Sequence, residues 1–261
     1  MRNKIKLNSI IFLGMGLAIL VILLRPSKDL KNILRSVGQK YVVSKGFPPL
    51  RYNIDLMNIP MGYLDLDIQD EDENGKDFYR GQALLKPPAL LNNISFDNLG
   101  FHMTSFIDKQ SLLPRRFETI DVYSAKKGKN KRTIEYHHPE LFMHYKTQDE
   151  DIEDDTRDYV SLLIWLMSQN YERDNLVKST LNVNRKIYLV VGKVKDFEIF
   201  HVDQHDYTVV YLRVQFLQIK EKYGVVSSIP IDIAMVELQD TYIPLLMKIR
   251  KGWLRSDIWL N

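Results

Sequence analysis

The most metal-like chemistry in the chain is His201-Val202-Asp203-Gln204-His205-Asp206, which gathers two imidazoles and two carboxylates in six residues. These are donor types that hold zinc and related ions. Read as a site, His201, Asp203 and His205 predict a metal-assisted hydrolase. Read as structure, a polar Asp-Gln-His-Asp run is what a connection between two strands needs, and we prefer that reading because clear strand patterns flank it. His137-His138-Pro139, with His144 close behind, divides the same way, and a turn ahead of Pro139 is the expectation. The chain has no G-x-S-x-G elbow, no H-E-x-x-H and no phosphate-cradling glycine loop. It also has no cysteine, which excludes disulfides, iron–sulfur clusters and thiolate zinc sites. Asp65 and Asp67 share one strand face, but no basic partner can be assigned to tune them. The expectation is a non-catalytic protein without a cofactor or metal.

Two charge runs and an aromatic set complete the candidates. Lys126, Lys127, Lys129, Lys131 and Arg132 surround Gly128 at a predicted hairpin tip, and Asp149 to Asp155 (DEDIEDD) precedes a predicted helix. Both read first as solvated loops. The sharper alternatives are anionic lipid for the basic tip and calcium or a basic partner for the acidic loop, although the loop lacks the glycine and spacing of an EF-hand. Acids before a helix also suit its macrodipole. Fourteen Tyr, eleven Phe and three Trp either fill a core or line a pocket for an acyl chain. The candidate ligand wall is Trp165, Tyr242, Leu246, Trp253 and Trp259, with Leu245 and Leu254 beside it.

The elements that hold these residues follow mainly a period of two. In Met61 to Gln69, Leu64, Leu66 and Ile68 face one way while Tyr63, Asp65, Asp67 and Gln69 face the other, as in a half-buried antiparallel strand. Asn74-Gly75 suits a tight hairpin, and Asp77 to Leu85 returns. Further strands are predicted over 116–123, 132–136, 141–146, 185–201, 207–220, 227–238 and 242–250, which implies an antiparallel sheet. One segment differs: Asp154 or Asp155 caps a helix from Thr156 to about Asn170, apolar enough to be buried against or inside the sheet's curve.

The N-terminus has its own character. Residues 1–48 carry nine Lys/Arg against the single acid Asp29, a balance of +8, so the whole-chain +3 leaves −5 for residues 49–261. A mildly acidic body argues against a nucleic-acid partner. Residues 7–24 form an apolar span of about 27 Å as a helix, enough to cross a bilayer core. No small-residue cleavage pattern follows it, so 1–24 reads as an uncleaved signal anchor rather than a removed leader. Positive charge flanks it on both sides, leaving the positive-inside rule nearly silent. Over 25–48, Leu30, Ile33, Leu34, Val37 and Tyr41 recur at helical spacing beside Lys31, Arg35 and Lys40. This basic amphipathic stalk lies on headgroups or packs its stripe on the next domain. Gly46, Pro48 and Pro49 then mark the start of a single domain, 49–261.

Leu50 to Asp67, Gly75-Lys76 and Ser105 to Glu118 together resemble the exported bacterial family called domain of unknown function 3108. Asn58-Ile59-Pro60-Met61-Gly62 corresponds to that family's "G-I-P-x-G" turn. Phe106-Ile107-Asp108 through Leu113-Pro114-Arg115-Arg116-Phe117-Glu118 corresponds to its "Y-I-D-x-x-T-L-L-P-x-R-F-E" strand. Ile231-Asp232-Ile233, Asp240 and Tyr242-Ile243-Pro244-Leu245 are similar to a later part, but Leu246 stands where an arginine is usual. The resemblance implies an extracytoplasmic β-domain, with a curved sheet like those of periplasmic lipoprotein carriers, and brings no activity. The whole reading is mainly β: one antiparallel curved sheet or half-barrel with one buried helix, preceded by a transmembrane helix. It places the protein in a bacterial inner membrane with its domain outside the cytoplasm, where it binds a lipid or an envelope protein.

Overall fold

The computed structural model describes residues 29–41, 47–73, 76–86, 100–122, 130–183, 186–220 and 224–261. The expected anchor at 1–24 and the basic residues 126–129 lie outside the described residues. Among those described, no helix is long and apolar enough to cross a membrane.

Among the described residues the alternating pattern produces fifteen strands in one open sheet. Its centre is β1 (Leu50–Leu56), from which a meander runs outward through β2 (Ile59–Glu73), β3 (Lys76–Lys86), β4 (Gly100–Asp108), β5 (Pro114–Val122), β6 (Asn130–His137), β7 (Phe142–Tyr145) and β8 (Gln148–Asp151). The chain then starts again at the opposite edge with β9 (Thr156–Arg157) and β10 (Leu176–Val183). It returns through β11 (Lys186–Val202), β12 (His205–Lys220), β13 (Gly224–Leu238), β14 (Thr241–Lys251) and β15 (Leu254–Leu260), which pairs with β1. Every pairing is antiparallel except β9 with β10, so the sheet is mixed. Glu73 pairs with Lys76, leaving two residues for the β2–β3 turn, as the Asn-Gly pattern requires.

This order dictates curvature. β8 and β9 are opposite edges of the sheet, yet only residues 152–155 join them. Five residue steps reach at most about 18 Å, so the sheet curls until its edges approach.

Two helices fill the curve. The helix α2 (Tyr159–Met167) touches β3 and β4 from one half and β9, β10 and β14 from the other. Val160, Leu162, Ile164, Leu166 and Met167 are all buried, on every side of the helix. At Gly81 on β3 an added Cβ would sit 2.5 Å from Val160 Cγ1 and 3.1 Å from Ile164 Cδ1, so glycine is what lets helix and strand meet. The predicted cap needs correction: it is Asp158, because Thr156 and Arg157 pair with Thr180 and Leu181 as β9 instead of beginning the helix.

The helix α1 (Leu30–Tyr41) is the expected amphipathic segment. Asp29, the only acid among the first 48 residues, accepts a hydrogen bond from the Lys31 amide at its start. Ile33, Leu34 and Val37 are buried in the main core, and α1 touches β11 and β14. The stripe therefore packs on the domain: α1 is buried by one face only, with Lys31, Asn32 and Arg35 exposed, and α2 is the buried helix the sequence predicted. Arg35 reaches Asp203 in the β11–β12 turn at 2.8 Å.

Candidate functional site

Because neighbouring strands alternate in direction, the sheet has two ends. The start of β1 and the β4–β5, β6–β7, β11–β12 and β13–β14 turns lie at one, called the seam end here. The β1–β2 and β14–β15 turns lie at the other, the tip.

Between the two edges of the sheet, at the seam end of β4 and β6 and against β10 beside the start of β11, buried side chains form a polar network. Asp158 is fully buried; its Oδ1 accepts from the amides of Val160 (2.8 Å) and Ser161 (2.9 Å), and its Oδ2 from the Ser105 hydroxyl (2.6 Å). The Asp158 amide donates in return to Ser161 Oγ at 2.9 Å, completing a capping box. Burial pushes the Asp158 carboxyl up to about 6, against the opposing pull of the hydrogen bonds from Ser105, Ser161 and Val160.

Arg157 is also buried and donates to the carbonyl of Asp155 (2.8 Å) and the hydroxyl of Ser179 (3.2 Å), while its guanidinium lies 4.8 Å from the centre of the Trp165 ring. Burial draws it down to about 10, still protonated at neutral pH. Thr180 donates to Asp155 Oδ1 at 3.0 Å and meets the Thr156 hydroxyl at 2.8 Å. Nearby, Asn182 donates to the Tyr136 hydroxyl at 3.1 Å. His138 stacks on Tyr136, and its Nε2 donates to the Pro114 carbonyl at 2.9 Å. Burial lowers the His138 pKa and keeps the ring neutral. This network joins β4, β6, β9, β10 and α2 where, among the described residues, no backbone ladder closes the sheet. Apart from Arg157 Nε and His138 Nδ1, which are buried without a hydrogen-bond partner among the described residues, its groups satisfy one another, so it reads as a lock.

The histidine candidates separate. His201 pairs across the strands with Asp206, and its Nδ1 is 2.5 Å from Asp206 Oδ1; Val202 pairs with His205. His201 and His205 thus project from opposite faces of the β11–β12 ribbon. Asp203 is taken by Arg35, and Asp203 and Gln204 hold the positive φ values, 47° and 69°, of a tight hairpin turn. His205 does line a shallow cleft of about 570 Å³ with Tyr207, Glu237 and Gln239, but His201 and Asp203 do not. Among the described residues no group of three potential metal ligands converges, so the metal-assisted alternative is set aside. His144 pairs with Asp149 at 2.6 Å, which places the start of the acidic run on an edge-strand pairing. Asp65, which seemed to lack a partner, is met by Arg51 at 2.5 Å and Lys86 at 3.6 Å.

The aromatic wall divides as well. Trp259 and Leu246 are cross-strand neighbours in the core, and Tyr242 is buried edge-on against Tyr171. Trp165 is half-buried under Arg157. Trp253 stands apart at the far end of β14 from Tyr242, 76% exposed.

That residue belongs to the tip. The β1–β2 turn places Met57 and Asn58 in the left-handed region (φ 52° and 64°), a costly conformation for methionine. The Met57 amide donates to the Arg255 carbonyl at 2.8 Å, which sets this turn beside Gly252-Trp253. Met57, Ile59, Met61, Trp253 and Leu254 are all exposed, Ile59 at 62%. Around them stand exposed Arg250, Lys251 and Arg255. Arg250 and Arg255 are direct cross-strand partners, an unfavourable like-charge pair, and no carboxylate among the described residues pairs with either. Sequence reasoning named Trp253 but missed Met57, Ile59 and Met61. The available signal was apolar side chains at two-residue turns, where polar residues are usual.

The molecule is therefore a one-sheet β-domain with helices in its curve, a locked seam between its edges and an apolar, basic tip at one end. The chain belongs to the family described as protein of unknown function (DUF3108), whose model matches residues 51–240. The family-like residues build turns. Asp108 accepts from the amides of Gln110 and Ser111 and from Arg115, and although burial opposes it these bonds hold its carboxyl below the ordinary range. No curated protein matches the chain. Among solved structures, LprF from Mycobacterium bovis aligns over 90% of this chain and 93% of its own at 13% identity, with a TM-score of 0.22. That value is too low to carry over a fold or a function.

Proposed function

We propose that this is a non-catalytic, membrane-anchored protein of the bacterial cell envelope whose β-domain binds an amphiphile, with an envelope protein as the alternative partner. The observation that carries this reading is the tip: five exposed apolar side chains beside three basic ones that have no acidic partner among the described residues. Exposed apolar patches of this kind mark surfaces meant to be covered. Residues 7–24 supply the anchor in this reading, a single span in the inner membrane with the domain in the periplasm.

Purification of the full chain from membranes, followed by mass spectrometry of co-purifying lipids and proteins, tests the binding. Enrichment of a lipid class that is lost on Trp253→Ser supports the amphiphile. A stoichiometric protein with no lipid enrichment favours the alternative, and neither one rejects the reading. A topology reporter fused after Asn261 tests the placement, and reporter activity in the cytoplasm contradicts it.

A further inference from the structure

The tip and the N-terminal entry of the chain lie at opposite ends of the sheet. α1 is tied to the seam end through Arg35 and Asp203, and β1 starts there at Leu50. The tip lies at the far end of β14, an eleven-residue strand of about 35 Å at roughly 3.3 Å per residue. Only residues 25–29 separate the apolar span from α1, a tether of six residue steps and at most about 22 Å. For the tip to point into the same bilayer, α1 would have to stand about 35 Å above it, beyond the tether's reach. We infer that the tip docks on a second bilayer surface, one bearing anionic headgroups, so that the protein spans the gap between two membranes.

This inference rests on the anchored reading above and adds the partner's chemistry and direction. Three features select an anionic lipid surface. Trp253 has the amphipathic ring that settles at headgroup level. Met57, Ile59 and Leu254 supply flexible or branched apolar groups able to enter the acyl boundary. The opposed Arg250 and Arg255, with Lys251, are left without carboxylates among the described residues, and an anionic surface would relieve their mutual repulsion.

The test reconstitutes the full chain through its N-terminal segment into phosphatidylcholine vesicles. A second, labelled population is then added, made of phosphatidylcholine alone or with phosphatidylglycerol. Flotation of the protein with the first population checks the anchor separately. We expect capture of the anionic vesicles only, reduced about fivefold in Arg255→Ala, since each basic residue near such a surface contributes about that factor. The double variant Trp253→Ser/Arg255→Glu should fall to background while keeping its thermal unfolding transition. Protein that floats but captures nothing, or captures neutral vesicles equally, overturns the inference and leaves the anchor standing. Capture abolished by placing phosphatidylglycerol in the protein's own vesicles overturns it too, because the tip then docks on the membrane of the anchor. Protein that fails to float overturns the anchored reading itself.

Discussion

The seam between the sheet's edges and the tip use the same residue types in opposite ways. At the seam, Arg157 and Asp158 are buried, and hydrogen-bond donors, acceptors and an aromatic face meet them. At the tip, Arg250 and Arg255 are exposed and face each other across a hairpin, while Trp253, Ile59 and Met57 project into solvent. Folding accounts for the seam, where each polar group helps to close a sheet that, among the described residues, no ladder closes. It does not account for the tip, where both the apolar exposure and the charge pairing cost stability. A feature that the fold does not need points to a partner.

The largest way to test that contrast is Asp158→Ala. It strands the Val160 and Ser161 amides and the Ser105 hydroxyl in the core, and should lower unfolding stability by about 3 kcal/mol in urea denaturation. A loss below about 0.5 kcal/mol would mean the seam is not a lock.

The second test is pH dependence. The folded state holds the Asp158 proton more tightly than the unfolded chain does, so the associated stability is fully present below about pH 4 and is lost as pH rises through about 6. The loss is about 2 to 3 kcal/mol. Asp158→Asn keeps the capping oxygen and should remove that component, seen as the difference between the two proteins' stability curves from pH 4 to 7. Parallel curves would refute the assignment.

Gly81→Ala comes next, costing about 2 kcal/mol by pressing on Val160 Cγ1, read from the thermal midpoint. An unchanged midpoint would show that α2 is free to shift. The smallest effect is at the tip. Arg255→Glu should change stability by no more than about 0.5 kcal/mol, in the stabilising direction, because it replaces a like-charge pair with an opposite one. A marked destabilisation would make Arg255 part of the fold and erase the contrast.

Much of the fold was legible in the residues. The two-residue period set the long strands β2, β11, β12 and β13, and Asn74-Gly75 set a hairpin of matching length, because burial of one face fixes local register. The apolar segment after the acidic run is the buried helix for the same reason. Its start was misplaced by three or four residues, since any of Asp154, Asp155 and Asp158 can cap, and pairing with β10, far off in sequence, chooses among them. The seam was not legible: Ser105, Arg157 and Ser179 meet only through the curl, and an isolated Ser or Arg looks like any surface residue. The histidine run is the strand connection its polar residues and flanking strands predict, while the metal alternative stayed open in the sequence because composition does not say which face each side chain takes. The aromatic wall mixed core with tip, since Trp259 and Trp253 differ in position along a hairpin and not in type.

The most direct measurement is fluorescence quenching of Trp253 by brominated phosphatidylglycerol vesicles added to the full chain reconstituted in phosphatidylcholine. Trp259 is buried and Trp165 lies under Arg157, so a change on vesicle addition reports the exposed ring. The account predicts a blue shift and quenching by anionic brominated lipid, both absent in Trp253→Phe and both lost at high salt. Emission unchanged by those vesicles, or quenched equally in Trp253→Phe, would contradict it.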